Sequence, residues 1–153
     1  MVRKVKIKFA SAFIFQLVYD VIVNKVDAGL IILTYKGKML LMHRSLRPAI
    51  FEQKIWSLIG CEKTKNESCE EAIAREVEGE ISIKLDAVEL LFSLFDEDRK
   101  KYLYHAELTD DNVNNIKRED GQSLEFFTPK ELRKLVLTDS TKLFLSKHSG
   151  NVS

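Results

Sequence analysis

Cysteine is scarce in this chain, and its two thiols follow no metal-binding or cross-linking pattern. Cys61 and Cys69 are the two cysteines among 153 residues. Neither a CxxC motif nor a Cys/His cluster accompanies them, so the sequence suggests neither a zinc site nor a disulfide framework. We expect reduced, partly buried thiols in a cytoplasmic protein, with Cys61 in a loop and Cys69 in a helix.

An excess of charge of one sign is also missing. The chain has 24 Lys and Arg residues against 23 Asp and Glu residues, a formal net charge of +1. A nearly neutral protein produces no general field that would attract nucleic acid or an anionic membrane surface. An anionic ligand therefore has to be recognised by a local site.

The N-terminal apolar run lacks the features of a signal peptide and of a membrane span. Residues 1–23 begin with basic residues followed by apolar ones, but Gln16, Tyr19 and Asp20 interrupt the run, and no convincing cleavage pattern follows. The run is also too short to cross a bilayer. We predict no membrane association, and residues 1–27 form an N-terminal extension that packs into the domain or against a partner.

Internal repeats and low-complexity tracts are absent from the sequence, which favours a single domain over residues 1–153. A chain of this length buries roughly two-thirds of its unfolded surface on folding. The composition, 45% hydrophobic and 31% charged, is typical of a globular protein.

The segment from Ile55 to Ile83 carries the main functional signal, because it predicts a strand end, a loop and then one acidic helix. Ser68 followed by Glu71 has the form of a capping box, which predicts that the helix starts there. The apolar side of the predicted helix consists of Ala72, Ile73, Ala74, Val77 and Ile81.

Glu76 and Glu80 lie one turn apart on this predicted helix and project together. At about 100° per residue, Glu80 falls roughly 20° from Ile73, beside the apolar stripe. Two carboxylates at the edge of a buried stripe repel each other unless a cation or a proton lies between them. A hard divalent cation such as Mg²⁺ suits such oxygen ligands. The alternative interpretation is an ordinary acidic helix.

This stretch resembles the Nudix hydrolase signature. There, a Gly is followed after five residues by a Glu, and seven further residues lead to Arg-Glu-apolar-x-Glu-Glu-x-Gly-apolar. The matching residues within the box, residues 61–83, are Glu67, Arg75, Glu76, Val77, Glu80 and Ile83. Trp56, Leu58 and Gly60 fit the strand and glycine turn that precede the box. The resemblance, from residue 28 to about residue 145, implies an α/β fold: a Nudix-type α/β/α sandwich with a mixed β-sheet.

Four positions depart from the signature. Cys61 stands where the first Gly of the box is expected, and Ile59 replaces the usual Pro before it. Gly79 replaces the first acid of the Glu-Glu pair, which removes one potential metal ligand, and Ser82 replaces the closing Gly. These changes do not affect the inference of the fold, but they weaken the inference that the protein is an active hydrolase.

The resemblance implies roles for the matched residues. Glu80 is expected to be the main ligand of Mg²⁺ or Mn²⁺, and Glu76 a second ligand or the general base. The backbone carbonyl of Gly60 is a further expected ligand. Glu67 is expected to hold Arg75 and so to fix the loop against the helix.

Candidates for the missing acid and for substrate contacts lie outside the box. Asp120 begins a segment that resembles the late Nudix stretch in which an acid completes the metal site; the alternative is a simple Asp-Gly turn. Glu97, in the charged turn at residues 96–100, is a minor candidate for the same role. Arg44 and Arg47 are candidate substrate contacts, with surface charges as the alternative.

The rest of the chain is predicted as strands and short helices. The predicted strands are two within residues 28–44, joined by a tight turn at 35–38, then 88–95, 101–108 and 123–127. Residues 109–112 are expected to form a loop, and Pro129 to start a short helix. Residues 132–148 are predicted as one or two helices that cover a sheet face.

Two functional hypotheses follow. The resemblance implies a metal-dependent pyrophosphohydrolase acting on a nucleoside diphosphate linked to another group, such as a nucleotide or nucleotide-sugar, in which the metal lowers the pKa of the attacking water. The alternative is a degenerate Nudix domain that binds a nucleotide or a partner protein without hydrolysis, as suggested by Cys61, Gly79 and Ser82. A homodimer is a further expectation by analogy with the family.

Overall fold

The computed structural model describes residues 27–44, 54–96, 99–119 and 121–152. Within these ranges the strands are β1 (Ala28–Tyr35), β2 (Lys38–Arg44), β3 (Ile55–Trp56), β4 (Ile59–Glu62), β5 (Glu89–Asp96), β6 (Arg99–Glu107), β7 (Gln122–Phe127) and β8 (Val136–Leu137). The helices are α1 (Cys69–Ile81), α2 (Asp110–Asn114), α3 (Pro129–Leu132) and α4 (Asp139–Val152).

Six of the strands form one mixed sheet with β1 at its centre. β1 pairs in parallel with β6, from Ala28 opposite Lys101 to Thr34 opposite Glu107. Its other edge is shared, because the first residues of β1 pair antiparallel with β4 and the last ones with β2. β5 extends the sheet beyond β6, and β7 extends it beyond β2. Since β4 leads directly into the loop before α1, this topology places the start of the box beside the central strand.

Both faces of the sheet are covered by buried clusters. Successive side chains of β1 point in opposite directions, so this strand contributes to both clusters. On one face the buried cluster joins Ile31 and Leu33 of β1 to Ile73, Val77 and Ile81 of α1. On the other face Ile32 packs in a cluster with Leu41, Trp56, Leu58, Leu103, Phe127 and Phe144 of α4. The predicted α/β/α sandwich with a mixed sheet is therefore confirmed.

Helix α1 begins at the predicted capping box and ends in a strained residue. The Ser68 side chain accepts a hydrogen bond from the Glu71 amide, and the Glu71 carboxylate accepts one from the Ser68 amide, each at 3.1 Å. At the other end, Ser82 has a φ of 62°, in the left-handed region. A residue with a Cβ costs roughly 1–2 kcal/mol in this conformation. The closing glycine of the signature would adopt it without that strain.

Most of the local predictions outside the box are confirmed. The turn between β1 and β2 has positive φ at Lys36 (49°) and Gly37 (77°), as a tight hairpin turn of this kind requires. β5 and β6 correspond to the strands predicted at residues 88–95 and 101–108, and they form an antiparallel pair. β7 and the helix that begins at Pro129 lie where they were expected.

Three local predictions are wrong. Residues 109–112 are not a loop, because Thr109 caps the helix Asp110–Asn114 and its hydroxyl accepts from the Asn112 amide at 3.0 Å. The tail is helical from Asp139, and its Phe144 packs on the sheet as predicted, but the predicted helix does not extend through residues 136–137, which form a strand that pairs in parallel with Ile55 and Trp56. Cys61 lies in strand β4 rather than in a loop. The strands at Val136–Leu137 and at Cys61 both form because a strand distant in the sequence, β3 and β1 respectively, supplies their backbone partners.

Several predictions concern residues whose structure is not described. These are the predictions for residues 1–26, Arg47, Glu97 and Asp120, and the prediction for the side chain of Arg44. In the described part of the chain, no helix has the length and apolar character needed to cross a membrane.

We predict that Ser82→Gly raises the free energy of unfolding by about 0.5–1 kcal/mol, because it removes the Cβ from a left-handed position. Urea denaturation followed by circular dichroism measures this change. The matched control is Ser68→Gly, the same substitution at the other end of α1. The Ser68 hydroxyl caps the helix, so its removal should lower the free energy of unfolding by about 0.3 kcal/mol. A loss of stability in Ser82→Gly would contradict the strain at that position.

Candidate active site

A cleft of about 640 Å³ lies where β1, β4, β6, α1 and α4 each contribute wall residues. The residues that line it are Ala28, Gly29, Leu30, Gly60, Cys61, Glu62, Lys63, Thr64, Arg75, Glu76, Arg99, Lys101, Ser140 and Phe144. The cleft thus combines part of the acidic box with cationic residues of β6 and an aromatic residue of α4.

Arg75 is the centre of the polar contacts at the box. Its guanidinium donates to both carboxylate oxygens of Glu67, at 2.8 Å from Nη2 and 3.2 Å from Nε. Nη1 donates to Glu76 Oε1 at 2.9 Å, and Nη2 also reaches the carbonyl oxygen of Glu62 at 3.4 Å. One side chain therefore links α1 to the end of β4 and to the loop between them.

The charge of Arg75 has a direct effect on the acid that it contacts. The hydrogen bonds from Arg75, with a further one from the Thr64 amide, lower the pKa of Glu67 to about 2. In return, Glu67 raises the pKa of Arg75, with a smaller effect from Glu76. Glu67 therefore stays ionised at any pH at which the protein is expected to work.

Glu80 is held by a different element. Its Oε2 accepts a hydrogen bond of 2.7 Å from Nε2 of Gln122, which is 4% exposed at the start of β7. The structure thus brings Glu67, Arg75 and Glu76 together beside β4 and turns Glu80 toward β7. Glu76 lines the cleft, and Glu80 lies one helical turn further along α1.

The donors available here suit a hard divalent cation. Glu76, Glu80 and the backbone carbonyl of Gly60 offer oxygen atoms alone, the ligands that Mg²⁺ and Mn²⁺ prefer, with water completing the coordination. A Cβ on residue 60 would lie 2.8 Å from Leu30 Cδ2 and 3.3 Å from the Gly29 carbonyl oxygen, so a larger residue here would displace the end of the Leu30 side chain. Among the residues that the structure describes, no three His, Cys, Asp or Glu side chains form a metal-binding group. The expected further carboxylate, Asp120, falls outside those residues.

Two cations of β6 are cleft residues that were not predicted from the sequence. Arg99 and Lys101 both line the cleft; Arg99 Nη1 lies 3.2 Å from Glu62 Oε1, and Lys101 is 7% exposed. Lys100 between them lies over the ring of Tyr102 instead. The sequence does contain a pattern that predicts this placement. In a strand, alternate side chains share a face, so Arg99 and Lys101 lie on one face and Lys100 on the other. Arg99 and Lys100 were interpreted as part of the charged turn at residues 96–100, because β6 begins two residues earlier than predicted; Lys101 was assigned to the strand but not to the cleft.

The two thiols are free and buried next to this cleft. Cys61, Cys69 and the ring of Tyr104 are the nearest neighbours of one point, since a Cβ built on Gly29 would lie 3.2 Å, 3.3 Å and 3.4 Å from them. The interaction with Cys61 is the main cause that lowers the pKa of Cys69. The pKa of Cys61 is raised, first by the same contact and then by burial.

The family of the chain is established by a sequence comparison. The model of the NUDIX domain family matches residues 23–146, which is most of the chain. The chain belongs to the Nudix family. The divergent box described above is thus the Nudix box of this protein, and the membership predicted from the sequence is confirmed.

Solved structures with the same fold have low sequence identity to this chain. A MutT structure from a study of the Aliivibrio salmonicida and Vibrio cholerae proteins has a TM-score of 0.66 at 14% identity, covering 80% of this chain and 94% of that one. A MutT NUDIX hydrolase from Burkholderia pseudomallei has a TM-score of 0.62 at 24% identity, covering 79% and 95%. The NUDIX domain of Shewanella oneidensis NrtR, complexed with ADP ribose, has a TM-score of 0.62 at 15% identity, covering 84% and 88%. A search of curated proteins found no match.

We predict that Glu67→Gln lowers the stability of the protein at neutral pH and that this loss shrinks in acid. The folded-state pKa of Glu67 is about 2, against an ordinary value of 4.5. The ion pair with Arg75 therefore stabilises fully above pH 4.5, and its contribution is lost as the pH falls from 4.5 toward 2. Urea midpoints of wild type and variant at pH 7 and pH 3 measure the difference. The control is Glu78→Gln, an exposed acid on α1, which should change stability little at either pH. A difference between wild type and Glu67→Gln that is equal at both pH values would contradict the assignment.

Proposed function

We propose that this protein is a metal-dependent hydrolase that cleaves the diphosphate bond of a nucleoside diphosphate linked to another group. The observation that carries the proposal is the position of Glu76 and Glu80 on α1, one turn apart, with Glu76 facing the cleft. Two carboxylates beside a fully buried apolar stripe repel each other, and a bound cation would remove this repulsion. Membership of the Nudix family supports the same class of reaction.

The cleft suits a nucleotide derivative in size and in chemistry. Its volume of about 640 Å³ lies within the range of small-molecule sites, about 300–1,000 Å³. Arg99 and Lys101 supply positive charge for phosphate oxygens, and Leu30, a partly exposed residue of the lining, supplies an apolar surface for a base or sugar. The NrtR domain with the same fold was solved with ADP ribose, which supports a ligand of this type.

Each residue of the site has a role in this proposal. Glu80 is the main ligand of Mg²⁺ or Mn²⁺, Glu76 is a second ligand or the base that takes the proton of the attacking water, and the Gly60 carbonyl is a further ligand. When bound, the cation neutralises diphosphate oxygens and lowers the pKa of water. Gln122 holds the carboxylate of Glu80 in position through its 2.7 Å hydrogen bond.

The remaining roles concern support of the site and the substrate. Arg75, fixed by Glu67, holds the loop at the end of β4 against α1. Asp120 takes the place of the acid that is missing at Gly79, and Arg44 and Arg47 contact the substrate. We further propose a cytoplasmic location and a homodimer.

A second function is favoured by one particular contact. Arg75 Nη1 lies 2.9 Å from Glu76, so a cation already neutralises part of the charge that a metal would use. Together with Gly79 in place of an acid, this favours a Nudix domain that binds a nucleotide, or a partner protein, without cleaving it. Divalent-metal binding and turnover distinguish the two functions.

We predict that Glu80→Gln lowers metal-dependent hydrolysis by about 100-fold or more, because removal of a ligand charge costs several kcal/mol of transition-state stabilisation. Phosphate release is measured with Mg²⁺ and with Mn²⁺ on nucleoside triphosphates, dinucleotides, nucleotide-sugars and ADP-ribose, using a coupling phosphatase. Glu78→Gln, an exposed acid two residues away, should retain wild-type turnover. An unchanged rate in Glu80→Gln would remove this residue from the site. Nucleotide binding without turnover in the wild type would favour the second function.

We predict that Gly79→Glu tightens Mn²⁺ binding by about tenfold, because it restores a carboxylate that the signature has and affinity rises with ligand charge. Gly79 is exposed, and no described atom lies within 4 Å of a Cβ built on it, so a side chain fits. The matched control is Gly79→Ala, which gives a similar gain in helix stability, about 0.5–1 kcal/mol, without a ligand. Calorimetric titration with Mn²⁺ compares the two variants. Equal affinities would show that position 79 does not face the metal.

A further inference from the structure

The two sulfur atoms of the chain share one space at the interface between the sheet and α1. Cys61 pairs directly with Gly29 across β4 and β1, and Cys69 is the first residue of α1. A Cβ built on Gly29 would lie 3.2 Å from Cys61 Sγ and 3.3 Å from Cys69 Sγ. Both sulfurs therefore lie above the same glycine, in the space that a side chain at position 29 would fill.

This space depends on an unusual glycine. A glycine inside a central strand weakens the strand, because it contributes no side chain to the packing. Here its absent side chain is replaced by two sulfur atoms and the ring of Tyr104, whose Cε2 would lie 3.4 Å from the same Cβ. Cys61 in turn stands where the Nudix signature has a glycine. The structure thus holds a thiol at a position that the signature does not require, facing a residue that makes room for it.

The pair meets the conditions for reversible cross-linking. Both sulfurs lie within 3.3 Å of the same point above Gly29, and they belong to two regular elements joined by the short loop of residues 63–68. Cys61 lines the cleft, so a small oxidant that enters the cleft reaches the pair. Thiol exchange chemistry depends on such access together with a second sulfur within reach.

We propose that Cys61 and Cys69 form a dithiol site that a hydroperoxide oxidises to a reversible intramolecular disulfide. One sulfur attacks the O–O bond of hydrogen peroxide, which forms an S–O bond and releases hydroxide. The second sulfur attacks this sulfenic acid, which forms the S–S bond, breaks the S–O bond and releases a second hydroxide. The two thiol protons convert both hydroxides to water, and the two electrons lost by the sulfurs reduce the peroxide. An external dithiol reverses the reaction by exchange.

The test is a mass-spectrometric search for the linked peptides. Purified, reduced full-length protein, prepared as an equal mixture of ¹⁴N and ¹⁵N forms, is treated with hydrogen peroxide and then alkylated under denaturing conditions. Cleavage after Lys and Arg places Cys61 in peptide 55–63 and Cys69 in peptide 66–75. We expect the two peptides to be joined, with a mass two hydrogens below their sum, always with the same isotope label in both halves, and separated again by dithiothreitol.

Two controls make the result specific. Cys61→Ser and Cys69→Ser each remove one partner, and because the chain has two cysteines, neither variant can form the link. Three outcomes in the wild type would overturn the proposal. In the first, both cysteines remain fully alkylated; in the second, oxygen adds to single cysteines without a link; in the third, the links join peptides of different isotope label.

Discussion

Burial of one apolar stripe of α1 on the central strand is the constraint on which the site depends. Ile73, Val77 and Ile81 are fully buried against the face of the sheet that carries Ile31 and Leu33. Side chains occupy fixed angles around a helix, so burial of this stripe also fixes the rotation of α1 about its axis. The rotation of α1 therefore determines where the acids project. Glu76 contacts Arg75 and lines the cleft, and Glu80 accepts a hydrogen bond from Gln122. Apolar packing sets the direction in which each acid projects, and the polar contacts then hold the carboxylates in place.

The C-terminal end of α1 shows how tertiary contacts replace local preference. Gly79 weakens the helix interior, and Ser82 occupies a left-handed position that favours glycine. The last turn is nevertheless formed, because Ile81 is completely buried and its carbonyl oxygen accepts a 3.0 Å hydrogen bond from the Lys117 amide. Glu80 lies in this turn, so its position depends on a segment far away in the sequence.

Features with local causes were predictable from the sequence, and features that depend on register between distant strands were not. The capping box at Ser68 and the turn at Gly37 each involve a few neighbouring residues, and both were found. The box at Thr109 and Asn112 carries a comparable local signal, but it was overlooked. The contact of Glu80 with Gln122 and the entry of Lys101 into the cleft depend on where β7 and β6 pair. No pattern within a short window encodes these pairings, although the family signature did place the acids on one helix.

The parallel pairing of β1 with β6 also imposes an order on folding. Ala28 pairs with Lys101, and Phe144 completes the second buried cluster from near the end of the chain. Pairing between such distant segments is slow, since a long loop has to close before the contacts form. During synthesis, the apolar side chains of β1 that pack on β6 and α4 stay exposed until these elements have left the ribosome. In that interval they can aggregate or bind chaperones. The cleft is complete only once α4 has packed, because α4 supplies part of its wall.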